Sequence, residues 1–241
     1  MIRHLLVLAV AAGAFPVFAH RPDVPERPSV RRIFREPRLT RGNTNILKVQ
    51  PIDDASWVWL KGDTGRGIAF LKFRNEFEAR EGDGKLTIDV SADERYYLTC
   101  DGAFVSRGPN RSTVENWQYQ TYELKLAPGR HVLEAVVLRL GAVAPITQMS
   151  YRGGFALKAS GGYDATLTTG KSDWQVGVLS GTTMGAEFVG HGAMGTRATS
   201  RGTGFEDERP GAWTDAVVVA RPIAQKPARF VWGLRRPGWM L

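Results

Sequence analysis

The chain has 241 residues, 43% of them hydrophobic and 23% charged, a mixture that buries a real core and excludes intrinsic disorder over most of its length. Its formal charge of +8 does not point to nucleic acid: seven arginines between Arg21 and Arg41 outnumber the acids there by four, so half the excess sits in one Pro-containing stretch, and no RNA- or DNA-binding motif accompanies it. Cys100 is the only cysteine, which excludes an internal disulfide, and no apolar run reaches the roughly 18 residues of a membrane-spanning helix.

In chain order, residues 1–19 read as a signal peptide. Arg3 and His4 give a basic start, Leu5 to Ala14 an apolar stretch, and Val17-Phe18-Ala19 a small-x-small site with cleavage expected after Ala19. The protein is therefore expected to be exported, to the periplasm or the extracellular space. Residues 20–55 form a basic, Pro-containing linker or surface-hugging arm, because Pro22, Pro25, Pro28 and Pro37 prevent a continuous helix.

From Trp57 onward the dominant period is two, as half-buried strands require. Leu71, Phe73 and Phe77 share one face of a segment whose other face carries Lys72, Arg74, Glu76 and Glu78. Residues 85–90 alternate as cleanly, and Tyr122, Leu124 and Leu126 make a third stripe. Residues 132–138 are apolar on nearly both faces and predict a central strand covered on two sides. Asp101-Gly102 between two apolar runs is a hairpin signal, since both residues tolerate positive φ. The turn Ala127-Pro128-Gly129 and the pairs Gly153-Gly154 and Gly161-Gly162 mark further boundaries. With no sustained helical stripe, the predicted fold is all-β, about ten strands in a two-sheet sandwich of jelly-roll type over residues 56–241.

Several motifs fail on context. Gly190-His191-Gly192-Ala193-Met194-Gly195 has dinucleotide-loop spacing, but no helix pattern follows it, so a flexible loop is expected and no cofactor. Glu206-Asp207-Glu208 and Asp53-Asp54 read as solvated charge, and adjacent acids do not flank a scissile bond, so no catalytic residue is assigned. His4, His20, His131 and His191 lack metal-ligand spacing, so no metal is expected, and Cys100 reads as a buried, inert thiol. The seven tryptophans are more suggestive, because flat amphipathic rings can hold a sugar face while polar neighbours bind its hydroxyls. Trp117, beside the polar loop Arg107-Gly108-Pro109-Asn110-Arg111 and close to Tyr119, is the strongest such candidate; the predicted carbohydrate-binding set is Trp117, Tyr119, Arg107 and Asn110.

Taken together, Trp57-Val58-Trp59, Phe73–Phe77, Ser91–Tyr96, Asp101-Gly102, Arg107-Gly108-Pro109, Trp117-Gln118-Tyr119, Gln148-Met149-Ser150, Ser172-Asp173-Trp174 and Trp213–Ala216 resemble the N-terminal β-sandwich region of bacterial α-L-rhamnosidase-like glycoside hydrolases. The resemblance covers roughly residues 56 to 241. It implies an accessory sandwich of galactose-binding-like type. Such enzymes carry their catalytic acids in a large (α/α)6 barrel, which no segment here matches. The resemblance therefore implies a truncated or split enzyme, inactive alone, whose partners would be a rhamnose-containing glycan and a catalytic barrel domain or chain, with no nucleic acid and no membrane span. The alternative is a structural packing module with no ligand of its own.

Overall fold

A computed structural model describes residues 28–33, 51–82, 85–110, 118–141, 144, 150–181 and 208–220, together with the backbone of 183–188 and 196–201. Two six-stranded antiparallel sheets face each other, as the alternating patterns predict. The first runs in the order β1 (Ser29–Ile33), β7 (Gln120–Lys125), β4 (Lys85–Ala92), β9 (Phe155–Ala159), β2 (Trp57–Trp59), β14 (Val217–Ala220). The second runs β13 (Thr214–Asp215), β10 (Gln175–Val178), β3 (Ala69–Ala79), β8 (Gly129–Arg139), β5 (Arg95–Cys100), β6 (Ala103–Gly108). A separate hairpin pairs β11 (Thr183–Phe188) with β12 (Thr196–Arg201), and the one short α-helix among the described residues, α1 (Asp164–Leu167), follows β9. The chain is thus an all-β sandwich of jelly-roll type, with more strands than the ten expected.

The core is built by the inward face of each alternating segment. Leu71, Phe73 and Phe77 of β3 meet Leu86, Ile88 and Val90 of β4 across the gap, with Leu98, Leu133, Ala135, Val137, Leu124 and Leu157 completing the layer. An aromatic chain crosses it: Trp59 to Phe73 at 6.0 Å, Phe73 to Phe155 at 5.1 Å, and Phe155 to Trp174 at 5.4 Å edge-on. Such tilted and edge-on contacts suit the ring quadrupoles. Strand β8 lies centrally between β3 and β5, and its second face carries Val136 and Leu138 into an outer cluster with Phe70, Leu179 and Tyr97. Its two-sided apolar pattern has that cause.

Three expectations change. Ser29–Ile33, inside the stretch read as a basic arm, is an edge strand fully registered on β7, with Val30 packed toward the core and Arg31 bonded to Glu123. Lys72, on the polar face of β3, is only 5% exposed. Asp54 is not simply solvated, since Lys158 and Lys171 bridge it to Asp164 and fasten the 3-10 turn Pro51–Asp54 near α1. Those ammonium groups, by direct hydrogen bonds, hold the Asp54 carboxyl below its ordinary range.

The Asp101-Gly102 turn joins β5 to β6 with φ of 52° and 73°, both in the left-handed region that a type I′ hairpin demands. The G-x-G-x-x-G stretch lies outside the described residues. The backbone on either side of it is β11 and β12, paired antiparallel, so a strand rather than a helix follows.

Candidate functional site

At one end of the sandwich lie residues 60–68, the Asp93-Glu94 turn, and the described ends of two further connections, residues 109–110 with 118–119 and residues 140–141 with 150–154. They are tied to one another by backbone and side-chain bonds. Gly153 N–H donates to Gly65 O at 2.7 Å, Asp93 N–H to Gly154 O at 2.9 Å, and Ser91 Oγ to Gln118 O at 2.7 Å. The Arg95 guanidinium donates to Pro109 O at 3.1 Å and that of Arg139 to Gly67 O at 2.8 Å. Close packing is enforced at Gly153, where a Cβ would overlap the buried Trp59 ring.

Of the predicted carbohydrate-binding residues, Asn110 is exposed and Tyr119 half-buried at the two ends of the β6–β7 connection. Arg107 is exposed on edge strand β6, directly across from Tyr97, whose ring sits 5.3 Å from that of Phe104. Trp117 lies outside the described residues. Asn110 and Tyr119 therefore belong to one connection, while Arg107 stands on the adjoining sheet face.

The acids at this end hold loops. Asp93 Oδ1 accepts the N–H groups of Tyr151 at 3.0 Å and Arg152 at 3.3 Å, and its Oδ2 accepts Ser150 Oγ–H at 2.5 Å, with Arg139 Nε 3.4 Å away. Glu94 accepts the N–H groups of Leu140 at 2.7 Å and Gly141 at 2.9 Å. Burial pushes the Asp93 carboxyl up to about 6, against the downward pull of the Ser150 hydroxyl and the Tyr151 N–H. Neighbours in sequence, the two carboxylates cap different parts of the 140–154 connection. Their arrangement positions backbone and does not present a facing pair to a substrate.

Sequence reasoning missed Tyr151. Its backbone is fixed by Asp93 while the residue is 45% exposed, and Ile68, 43% exposed, lies on the neighbouring connection. The available signal was its place between Ser150 and the Arg152-Gly153-Gly154 turn, where a ring at a loop end faces solvent.

At the opposite end the fold brings together a second cluster, which the sequence spacing of the histidines did not reveal. Donor atoms of Cys100, Asp101 and His131 lie within 4.8 Å of one another. His131 Nδ1 pairs with Asp101 Oδ2 at 2.7 Å, and its Nε2 with Ala127 O at 2.7 Å. Burial works against charge on the ring, but these bonds outweigh it and raise the His131 pKa overall. Burial, reinforced by the Asp101 charge, drives the Cys100 thiol well above its ordinary range.

No protein-family model matches the chain, and no curated protein matches it. Among solved structures, it is similar to a GH78 family rhamnosidase of Bacillus sp. GL1, with 24% identity and a TM-score of 0.53 over 69% of this chain. It is also similar to a lectin from Pleurotus ostreatus in complex with GalNAc, with 13% identity and a TM-score of 0.35 over 70% of this chain and 43% of the lectin. The chain spans only 18% of the rhamnosidase's length. The rhamnosidase likeness, together with the two facing antiparallel sheets, shows a β-sandwich fold shared with part of that protein.

Proposed function

We propose that this chain is an exported, non-catalytic accessory module of a rhamnosidase-like glycoside hydrolase that contacts carbohydrate through its Asp93–Tyr151 end. The observation that carries the reading is the sandwich likeness to a rhamnosidase of which this fold is a minor part. Support comes from the acids at that end, whose oxygens hold the N–H groups of residues 140, 141, 151 and 152. At this end Tyr151 and Asn110 are exposed and Tyr119 half-buried, aromatic and polar groups of the kinds that sugar recognition combines. Trp117 would add a second stacking ring, and Arg107 a donor at the rim. A catalytic barrel, on a continuing or separate chain, would supply the hydrolytic chemistry.

Calorimetry of the purified chain with rhamnose and rhamnose-containing oligosaccharides tests the reading. Saturable heat that falls when Tyr151 or Trp117 is changed to Ala supports it. No heat at millimolar ligand would leave the second reading, a packing module without a ligand, which the 53% exposed Phe104 on edge strand β6 favours. Export is checked by mass spectrometry of material secreted from a bacterial host, with His20 expected as the new N-terminus.

A further inference from the structure

We propose that Cys100, Asp101 and His131 bind a zinc ion at the end of the sandwich opposite the Asp93–Tyr151 loops, fastening the β5–β6 hairpin to β8. The set is assembled by the fold: Cys100 closes β5, Asp101 opens the turn, and His131 lies on β8, where Cys100 is paired with Leu133. Sγ of Cys100 is 3.8 Å from Asp101 Oδ2, which is 2.7 Å from His131 Nδ1, and all three donors fit within 4.8 Å. Tetrahedral zinc holds sulfur, nitrogen and oxygen ligands roughly 3.3–3.6 Å apart, so the two pairs through Asp101 Oδ2 need to adjust by about 0.6 Å or less and the sulfur–nitrogen pair by at most about 1.2 Å.

The surrounding bonds already orient these ligands. His131 Nε2 is engaged by the Ala127 carbonyl, which turns Nδ1 toward the cysteine and aspartate, the outer arrangement that fixes a metal-binding imidazole. Asp101 Oδ1 accepts the Val132 N–H at 2.8 Å, leaving Oδ2 toward the cluster. Thiolate, imidazole and carboxylate form a borderline-soft set that suits zinc and disfavours calcium or magnesium. One thiolate and one carboxylate also balance the charge of a divalent ion where Cys100 and His131 are buried. The Asp101 side chain, 22% exposed, gives the cluster contact with solvent, from which a water would serve as fourth ligand. On binding, the Cys100 thiol proton and the proton shared by His131 Nδ1 and Asp101 leave to solvent, and three ligand bonds to the metal form in their place.

Cobalt(II) titration of the untagged, chelator-treated full chain tests this. One equivalent is expected to produce a near-ultraviolet thiolate-to-cobalt charge-transfer band with tetrahedral visible bands, both abolished by zinc chloride, and zinc alone is expected to raise the melting temperature. Cys100→Ser should lose the charge-transfer band, and His131→Gln should weaken binding at least tenfold. Because Cys100 is a core residue, Asp101→Asn provides the second arm: it keeps the Oδ1 acceptor and tolerates positive φ, and it too should weaken binding at least tenfold. A purely octahedral cobalt spectrum, or affinity unchanged in both Asp101→Asn and His131→Gln, would overturn the proposal.

Discussion

The carboxylate of Asp93 and the backbone of Tyr151 are joined by one 3.0 Å hydrogen bond, through which a buried acid fixes the position of an exposed ring. The burial of that acid has a thermodynamic consequence, one that the bond opposes. A carboxyl whose folded pKa is raised from its ordinary 3.8 to about 6 holds its proton more tightly in the folded than in the unfolded chain over that interval. Its contribution to stability is then greatest below about pH 4, declines as pH rises through 6, and amounts to a difference of about 2–3 kcal/mol across the window. Asp93→Asn keeps the acceptor for the Tyr151 and Arg152 N–H groups and removes the titration. Urea midpoints of wild type minus variant should therefore fall between pH 4 and pH 7; a difference that is flat or rises with pH would refute the account.

Gly102→Val should destabilise the hairpin. With φ of 73° and open space around its would-be Cβ, Gly102 is constrained by backbone conformation alone, so a β-branched residue there is strained by about 1–3 kcal/mol. Coincident urea midpoints for variant and wild type would contradict the strain.

Gly153→Ala is destabilising for a different reason. Its backbone is not in the left-handed region, but the added methyl would overlap the six-membered ring of Trp59, which is fully buried and held by its Nε1–H donating to Asp63 Oδ1 at 2.9 Å. Overpacking of this kind costs about 1–3 kcal/mol. A double variant, Gly153→Ala with Trp59→Phe, should recover part of the loss beyond what the two single changes predict, and strict additivity in thermal melts would argue against direct contact.

Features written in local sequence were legible, and those assembled from distant segments were not. The type I′ turn at Asp101-Gly102 depends on two adjacent residues, and the centrality of β8 on its own two-sided apolar run. Strand β1 was hidden because proline and arginine around it read as solvated chain, although an edge strand needs only one inward residue such as Val30 and a partner for its backbone. The loop-holding roles of Asp93 and Glu94 were not legible because nothing local reveals that loops some 50 residues away bring N–H groups to them. Likewise the Cys100 and His131 donors meet only through the β5–β8 pairing, which no spacing rule encodes. For the predicted sugar-binding set, the neighbourhood of Asn110 and Tyr119 was readable from their common loop, while Tyr151 required the fold.

Trp117→Ala and Trp59→Ala should separate binding from stability. Trp59 is fully buried between the sheets and contacts Phe73, so truncation leaves a large cavity and is expected to cost about 3–5 kcal/mol. Trp117→Ala should leave the urea midpoint within about 0.5 kcal/mol of wild type, as changes outside the core do, while reducing heat on titration with rhamnose-containing oligosaccharide. A Trp117→Ala protein that unfolds as readily as Trp59→Ala would assign Trp117 to the core and remove it from the sugar-contacting set.

The chain should show no glycosidase activity by itself. Hydrolysis requires a general acid and a second carboxylate across the anomeric carbon, roughly 5–9.5 Å apart. Asp93 and Glu94 spend their oxygens on four backbone N–H groups and the Ser150 hydroxyl. Asp54 and Asp164 are clamped between Lys158 and Lys171. Asp101 is engaged by His131 and the Val132 N–H, so freeing any of these acids for catalysis would forfeit bonds that hold a loop or turn. Incubation with aryl α-L-rhamnoside and a panel of other aryl glycosides is expected to give no turnover above buffer. Activity that survives repurification and vanishes on changing Asp93, Glu94, Glu206 or Asp207 to the corresponding amide would establish a catalytic site within the sandwich and refute the non-catalytic reading.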